Sequence, residues 1–345
     1  MVKRLLAVLV ALLLLGSMTA CGAGETATPE DNSDKFQQVD LEQETTALEP
    51  AELTPLEQTA TWLLSAAPEL TVGSVSGEWL VLGLARSGLD VDPAYFEQYY
   101  ENVEKYVTQC GGVLHDRKYS EYSRVILALT AIGKNPADVA GFDLTKPLAD
   151  FDQTCFQGIN GPMFALIALD SGNYEIPAAE AGITQASKDM YIDLLLEKQL
   201  ANGGWCLTGD QMEADMTAMA LQALSNHQDR EDVAAAVERG VEALAQAMND
   251  DGSFAANDGS NCESAAQVIV ALSELGISLN DSRFVKGGKN LMDRLMDYRM
   301  ADGGFCHLLG EETNQMATEQ AFYAMVAAQR LEEGKPALYD MNDVE

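Results

Sequence analysis

The sequence predicts an all-α fold in which six helical hairpins close into a ring, with one helix of each hairpin inside and the other outside. Three observations predict it. Six apolar segments recur along the body of the chain, and amphipathic segments of helical period alternate with them. No apolar–polar alternation of the kind that marks a strand continues for more than a few residues.

The predicted inner helices are segments that are apolar on nearly every side, as expected of helices buried in a core. In chain order they are EWLVLGLARSG, SRVILALTAIG, NGPMFALIALDSG, DMTAMALQALSN, AAQVIVALSELG and EQAFYAMVAAQ. Each contains a small residue followed by Leu or Met, and these small residues are Gly83, Ala128, Ala165, Ala220, Ala271 and Ala324. A small side chain at the same place would let neighbouring inner helices approach closely.

The predicted outer helices lie between these segments and have one apolar and one polar side. Their ranges are Pro55–Ala67, Ala94–Gln109, Leu144–Phe156, Ser187–Gln199, Val233–Met248 and Arg283–Met300. Together the two sets make twelve helices in six hairpins. Inner helices in a ring with outer helices around them form an α/α toroid.

A short motif recurs where three of the outer helices end. It reads Gln199-Leu-Ala-Asn-Gly203-Gly-Trp205 in the fourth hairpin, and related forms end in Phe254 and Phe305. Each places an aromatic residue two positions after a glycine. The glycine would end the helix, since it tolerates positive φ, and the aromatic ring would pack back as a wedge.

The N-terminus predicts export and lipid anchoring. Lys3 and Arg4 precede an apolar run that is too short to span a membrane, so residues 1–20 read as a signal peptide. Ser17-Met-Thr-Ala20-Cys21 resembles a bacterial lipobox, which implies cleavage before Cys21 and lipid on its sulfur; an ordinary cleaved signal is the alternative. Residues 21–52 are acidic and poor in apolar residues, as in a disordered tether. The toroid is expected over residues 53–335 and a C-terminal tail over 336–345.

Charge excludes some partners. Removal of residues 1–20 takes away two cations and no acidic residue, and lowers the formal net charge from −33 to −35. Such a chain repels nucleic acid phosphates and anionic lipid headgroups, so no nucleic acid partner is expected. The expected location is outside the cytoplasm, on the membrane through the lipid at Cys21.

The cysteines give no metal site. The body contains Cys110, Cys155, Cys206, Cys262 and Cys306, without a C-x-x-C pair, and the whole chain has only 3 histidines. We therefore expect neither a zinc site nor a cofactor. Disulfides are permitted outside the cytoplasm, but the interpretation favoured is that these cysteines are structural thiols.

Two features resemble triterpene cyclases. Gln199–Trp205 fits their Q-x-x-x-G-x-W repeat, and Glu213-Ala-Asp215-Met216-Thr217-Ala218 stands where such a cyclase carries D-x-D-D-T-A, its proton donor. Residues 53–335 also resemble the α/α toroids of terpenoid cyclases, protein prenyltransferase β subunits and transcobalamin-type carriers. They are similar to bacterial surface proteins with prenyltransferase/squalene-oxidase repeats. Glu213 and Met216 depart from the acid motif, which puts cyclase activity in doubt.

Polar residues gather at the predicted N-terminal ends of the inner helices. Counting back five or four positions from the aligned small residues, or within about a turn of them, gives Glu78, Trp79, Tyr122, Arg124, Asn160, Asp215, Glu263, Gln267, Glu319 and Gln320. In a closed ring these residues would form a polar collar around a ligand cavity. The acids among them could instead serve only as helix caps.

Several functions fit this arrangement. A cyclase-like enzyme would use Asp215 as general acid. A prenyltransferase-like enzyme would need Asp, Cys and His ligands for zinc. The companion acid is absent, and so is the zinc-ligand spacing. A corrinoid binder or a rigid surface scaffold would do no chemistry. The interpretation favoured is a non-catalytic toroid that binds an unknown small molecule or surface partner at the barrel mouth.

Overall fold

The structure is a computed structural model that describes residues 53–256 and 259–344. Twelve α-helices lie within these ranges. In chain order they are α1 (Pro55–Ala66), α2 (Trp79–Arg86), α3 (Pro93–Gln109), α4 (Ser120–Ala131), α5 (Phe151–Thr154), α6 (Asn160–Ser171), α7 (Lys188–Glu197), α8 (Ala214–Leu224), α9 (Glu231–Ala247), α10 (Cys262–Glu274), α11 (Leu291–Met296) and α12 (Gln315–Glu332). The signal segment 1–20, Cys21 and the whole of the tether lie outside the described residues.

The even-numbered helices form a closed inner ring. Each packs against the next, from α2 to α4, α6, α8, α10 and α12, and α12 packs back against α2. Several inner helices also pack against the outer helix that follows them in the chain, and α12 does the same with α1. The apolar residues of the inner helices are almost all buried, which is why their sequences lack a polar side. The predicted α/α toroid is confirmed.

Two outer helices are shorter than predicted. The range Leu144–Phe156 contains only 3₁₀ turns and the single turn α5, because Asp150 is extended and caps α5 through a 3.0 Å bond from Gln153 N. In the range Arg283–Met300 the chain turns at Gly287 and Gly288, both at positive φ, before α11 begins. Helical periodicity alone did not reveal these local stops.

The glycine–aromatic motifs join neighbouring outer helices. Gln199 donates from Nε2 to the carbonyl of Gly203 and to that of Ala236 in α9, each at 2.8 Å. Trp205 is fully buried and its indole N–H donates to Leu195 O at 2.7 Å. Gly203 lies at φ +91°, with the Arg239 carbonyl so near that a Cβ would meet it at 2.6 Å. The motif is thus a staple between α7 and α9.

The glycine–aromatic motif that ends in Phe305 belongs to the sixth hairpin, and we call it the sixth motif. It closes the ring on the first outer helix. Thr59 of α1 is fully buried and donates from its hydroxyl to Gly303 O at 2.8 Å, and Trp62 Nε1 donates to Asp302 Oδ2 at 3.1 Å. In the inner layer, a Cβ on Gly83 would lie 2.9 Å from the Phe322 ring. We call this junction of α1 and α2 with α12 and the sixth motif the seam.

The C-terminal segment packs across the end where the inner helices finish. Arg86, the last residue of α2, donates to Leu338 O at 3.1 Å and pairs with Asp343, as does Arg330 of α12. Two further contacts at this end are Tyr339 N to Glu274 Oε1 at 3.2 Å and Met341 N to Ser171 O at 3.1 Å. Leu338, Tyr339 and Met341 are buried. Residues 336–344, set apart as a tail on sequence grounds, therefore complete the core of the toroid at this end.

Among the described residues, none of the helices has the length and apolar character needed to cross a bilayer.

The seam contact predicts that two threonines of α1 differ in their contribution to the free energy of unfolding. Thr59→Val should lower the free energy of unfolding by about 1–3 kcal/mol, because it leaves the buried Gly303 carbonyl without a donor. Thr61→Val is the matched control, since exposed Thr61 bonds only Glu57 O of its own helix at 2.8 Å. Urea unfolding measures both. Equal, small effects would show that the seam contact does not hold the ends of the domain together.

Candidate functional site

In each hairpin the outer helix runs toward one end of the ring and the inner helix runs away from it. All inner helices therefore begin at this end, which we call the mouth. The predicted site residues lie in or directly before the first two turns of these helices: Glu78, Trp79, Tyr122, Arg124, Asn160, Asp215, Glu263, Gln267, Glu319 and Gln320. Their position along the ring axis follows from their place in each helix.

The helix starts separate these residues into two levels. Asp215 and Glu263 are the second residues of α8 and α10, and Glu319 is the fifth residue of α12. Asp215 is partly exposed, whereas Glu319 is 1% exposed. The sequence alignment, which gave Asp215 and Glu319 equivalent places, is thus wrong by about one helical turn. Glu319 lies deeper.

Glu78 is a buried acid beside the cation Arg124. It is 1% exposed, accepts from the Tyr99 hydroxyl at 3.3 Å, and lies 3.6 Å from Arg124 Nε. Arg124 also pairs with Glu121 in its own helix. Burial raises the pKa of Glu78 to about 7, although Arg124 acts in the opposite direction.

Glu319 holds the irregular segment before α2. Its Oε1 accepts from Ser76 N at 2.8 Å and from Gln315 Nε2 at 3.1 Å. Ser76 has φ +56°, an unusual value for a residue with a side chain, and this bond helps to keep it there. Burial raises the pKa of Glu319 to about 7, and the nearby Glu78 carboxyl adds slightly to the shift. Desolvation, rather than repulsion between acids, is the main cause.

A second acid pair lies on the side of α8 and α10. Glu263 is held by His307, with 2.8 Å between Oε2 and Nδ1. Burial raises the pKa of Glu263, His307 lowers it, and the Asp215 carboxylate raises it. Burial also raises the pKa of Tyr323, and Glu263, Asp215 and Glu319 all add to that shift. The structure therefore brings the two acid levels within electrostatic range of each other.

Below the acids, aromatic side chains meet across the middle of the ring. The Trp79 ring lies 5.8 Å from Phe164 and 5.7 Å from Tyr323, centroid to centroid. Trp79 and Phe164 come from α2 and α6, which are not neighbours, so their contact crosses the lumen. Gln267 donates to Gln320 Oε1 at 3.1 Å and to the Tyr323 hydroxyl at 2.6 Å. Gln267 and Gln320 are thus bonded to each other rather than arranged around an open channel.

Two predicted site residues stand apart from the acid clusters. Tyr122 is 2% exposed, and its hydroxyl accepts from Leu114 N at 3.0 Å in the segment that joins α3 to α4. It lines a side cavity between the second and third hairpins. Asn160 is the first residue of α6 and is partly exposed.

A cavity of about 650 Å³ opens at the mouth beside the start of α8. It is lined by Leu207, Thr208, Gln211, Met212, Glu213, Ala214, Asp215, Met216, Ala255 and Ala256. This volume is within the range of small-molecule sites, and the mixture of apolar side chains with two acids is typical of them.

The threonine of the acid motif has a structural task. Thr217 Oγ1 accepts from Trp205 N at 2.9 Å, and Thr318 Oγ1 accepts from Phe305 N at the same distance. The two threonines therefore fasten the motif loops to α8 and α12. Sequence reasoning missed these bonds, as well as the roles of Ser76, Tyr99 and Gln315. A threonine that follows two of the three glycine–aromatic loops by twelve or thirteen residues was the signal that could have revealed these bonds.

In the described part of the chain, there is no group of three or more His, Cys, Asp or Glu that could hold a metal ion. The five cysteines of the body are free thiols, and Cys262 and Cys306 are buried.

Comparisons with known proteins show only remote likeness. No family and no curated protein matches this chain. The chain is similar to the unsaturated glucuronyl hydrolase of Bacillus sp. GL1, which is responsible for the degradation of glycosaminoglycan, at 11% identity and a TM-score of 0.49, covering 84% of this chain and 97% of that one. A second solved chain, recorded with dGlcA-Glc-Rha-Glc, is 10% identical with the same TM-score and coverage. Likeness this remote says nothing about activity.

Glu319 predicts a defined pH dependence of stability. Its pKa rises on folding from 4.5 to about 7, so its stabilising contribution is complete below about pH 4 and is lost as the pH rises through 7. Gln is neutral at every pH. The Glu319→Gln variant should therefore exceed the parent in free energy of unfolding by about 1–3 kcal/mol at pH 8, and the difference should shrink near pH 5.

Urea unfolding at the two pH values measures this difference. Glu312→Gln, which changes an exposed acid just before α12, is the control and should track the parent. An equal difference between Glu319→Gln and the parent at pH 5 and pH 8 would contradict a pKa raised by burial.

Proposed function

We propose that this chain is a binding protein outside the cytoplasm, held on a bacterial membrane by lipid at Cys21, which takes a small molecule at the mouth without transforming it. The observation that carries the proposal is the 650 Å³ cavity at the start of α8, where Asp215 and Glu213 lie among Met212, Met216 and Leu207. A cavity with few polar groups among apolar ones is the usual form of a ligand site.

The charge around the mouth favours a cationic or hydroxyl-rich ligand over an anion. The chain has no Lys or Arg in residues 199–229, 240–282 and 300–329, which include α8, α10 and nearly all of α12 with the loops that precede them. Acids remain in each range, among them Asp215, Glu263 and Glu319. A field of one sign raises the local concentration of oppositely charged ligands and repels phosphates.

One substitution and two contacts speak for binding rather than cyclase chemistry. Met216 occupies the place of the companion acid, and Thr217 is engaged with Trp205. The Trp79–Phe164 contact crosses the lumen, so a long hydrocarbon substrate would first have to displace these rings. An enzyme that uses Asp215 as general acid is therefore the less supported alternative. A corrinoid is one candidate ligand among several.

The anchor and the tether complete the proposal. Residues 21–52 would let the toroid stand away from a surface that its own charge makes repulsive. Cys21→Ser should move the chain from the membrane fraction to the medium and remove labelling by a fatty acid. Label that persists after the substitution would contradict the anchor.

The Cys21→Ser chain also provides soluble protein for a ligand test. Spermidine should raise its melting temperature more than citrate does, and Asp215→Asn should reduce the spermidine effect. Asn has nearly the same shape as Asp and the position is partly exposed, so the variant should fold. Asp210→Asn is the matched control, because Asp210 is an exposed acid of the same loop that does not line the cavity.

Two results would contradict the binding role. One is an equal loss of the spermidine effect in both variants, which would indicate unspecific attraction to an acidic surface. The other is cyclisation of squalene by the parent chain that disappears in Asp215→Asn, which would make the protein an enzyme.

A further inference from the structure

A cavity of about 690 Å³ lies between the second and third hairpins and shares no lining residue with the cavity beside α8. It exists because the third outer helix is reduced to the single turn α5 and its flanking 3₁₀ turns, so a full helix does not cover α4 here. The loop 111–116, the segment 141–150 and residues 179–183 surround the gap. None of the functions considered above uses this space.

Aromatic rings line one part of the cavity. Tyr119 lies edge-on to Tyr122, with 5.3 Å between ring centroids. Phe142 packs directly on Gly112, where a Cβ would lie 2.5 Å from its ring. Tyr119 and Phe142 are partly exposed, and Val113 beside them is 58% exposed. These rings therefore offer free area to a ligand.

Hydrogen-bond donors face the same space. His115 accepts from Arg117 N and Lys118 N through Nδ1, at 3.0 and 3.1 Å, so the proton of the neutral ring is on Nε2. The Tyr122 hydroxyl accepts from Leu114 N at 3.0 Å, which leaves its own proton to donate.

Acceptors outnumber cations around the cavity. Asp143 accepts from the N–H and hydroxyl of Thr145 through Oδ1, at 2.9 and 2.6 Å, and Asp150 accepts from Gln153 N through Oδ1. No bond to either Oδ2 is found in the described part of the chain. Lys146 is neutralised by Glu180 at 3.0 Å. The surplus of carboxylates disfavours an anionic ligand.

We propose that this side cavity is a second binding site, and that its ligand is a neutral saccharide. Ring faces carry negative potential and attract the C–H face of a sugar, while vicinal hydroxyls both donate and accept. The rings of Tyr119 and Phe142 would contact the C–H face of the sugar. The carboxylates would accept from its hydroxyls, and Tyr122 and His115 would donate to them. The volume of the cavity suits a ligand of two or three sugar rings.

The test uses saturation-transfer difference NMR on the full chain carrying Cys21→Ser, with maltotriose, cellotriose, mannotriose and chitotriose as probes. At least one probe should receive saturation on its C–H protons. Asp143→Asn keeps the Oδ1 acceptor for Thr145 and should weaken binding about tenfold, because a hydrogen bond to a charged group is lost. Tyr119→Ala and Phe142→Ala should abolish the transfer.

Two controls keep this test separate from the mouth site. Tyr100→Ala removes a partly exposed ring of α3 that does not line the cavity, and Asp215→Asn changes only the mouth. Both should leave the transfer unchanged. Absence of transfer to every probe, transfer that survives loss of both rings, or transfer lost in Asp215→Asn would overturn the side-cavity assignment. The last outcome would leave a sugar site at the mouth.

Discussion

Closure of the seam is the constraint on which the rest of the structure depends. Each inner helix is apolar nearly all round and needs a neighbour on both sides, so an open row of hairpins would expose α2 at one end and α12 at the other. The buried bond from Thr59 to Gly303 and the close approach of Gly83 to Phe322 join residues separated by most of the domain. Since Gly83 has no Cβ, the two inner helices can approach closely.

Closure also decides which end of the ring can take a ligand. The C-terminal segment fills the end where the inner helices finish, and Arg86 and Arg330 hold it through Asp343. The other end keeps its acids and its cavity. Between the two ends, the rings of Trp79, Phe164 and Tyr323 meet across the lumen, below the acids of the mouth. Binding at a rim suits this geometry better than chemistry on a buried substrate.

The acids of the mouth differ in what they can do. Glu78 and Glu319 are buried and support the architecture around α2: Glu319 accepts from Ser76 N before α2, and Glu78 contacts Tyr99 and Arg124 of the second hairpin. Asp215 is partly exposed and lines the cavity, and is therefore the acid best placed to meet a ligand. The sequence shows an acid at each of these positions, but burial distinguishes two roles. The buried acids support the fold, and the partly exposed one can meet a ligand.

Periodicity was enough to predict the ring, because a helix that is apolar on all sides has few other ways to be buried. The glycine–aromatic motifs do follow the ends of α7, α9 and α11, and Trp205 is buried as a wedge as predicted. The prediction that their glycines end the helices is wrong, because each helix ends at least five residues before its glycine, which instead shapes the loop at positive φ. The depth of each acid along the ring axis was harder to predict, because the alignment of small residues placed Glu319 level with Asp215. The third outer helix is broken where Asp150 caps α5. Tyr122 lies apart from the acids because its hydroxyl accepts from Leu114 N. Such local bonds leave no mark on an apolar pattern.

Hydrogen exchange in a chain that lacks residues 53–92 tests closure most directly. This deletion removes α1, which packs against α12, and α2, which packs against both α4 and α12. The account predicts that the amides of α12 lose protection together with those of α4, although α12 begins more than two hundred residues after the deletion. Undiminished protection of α12, with loss confined to α4, would show that the hairpins form an open row.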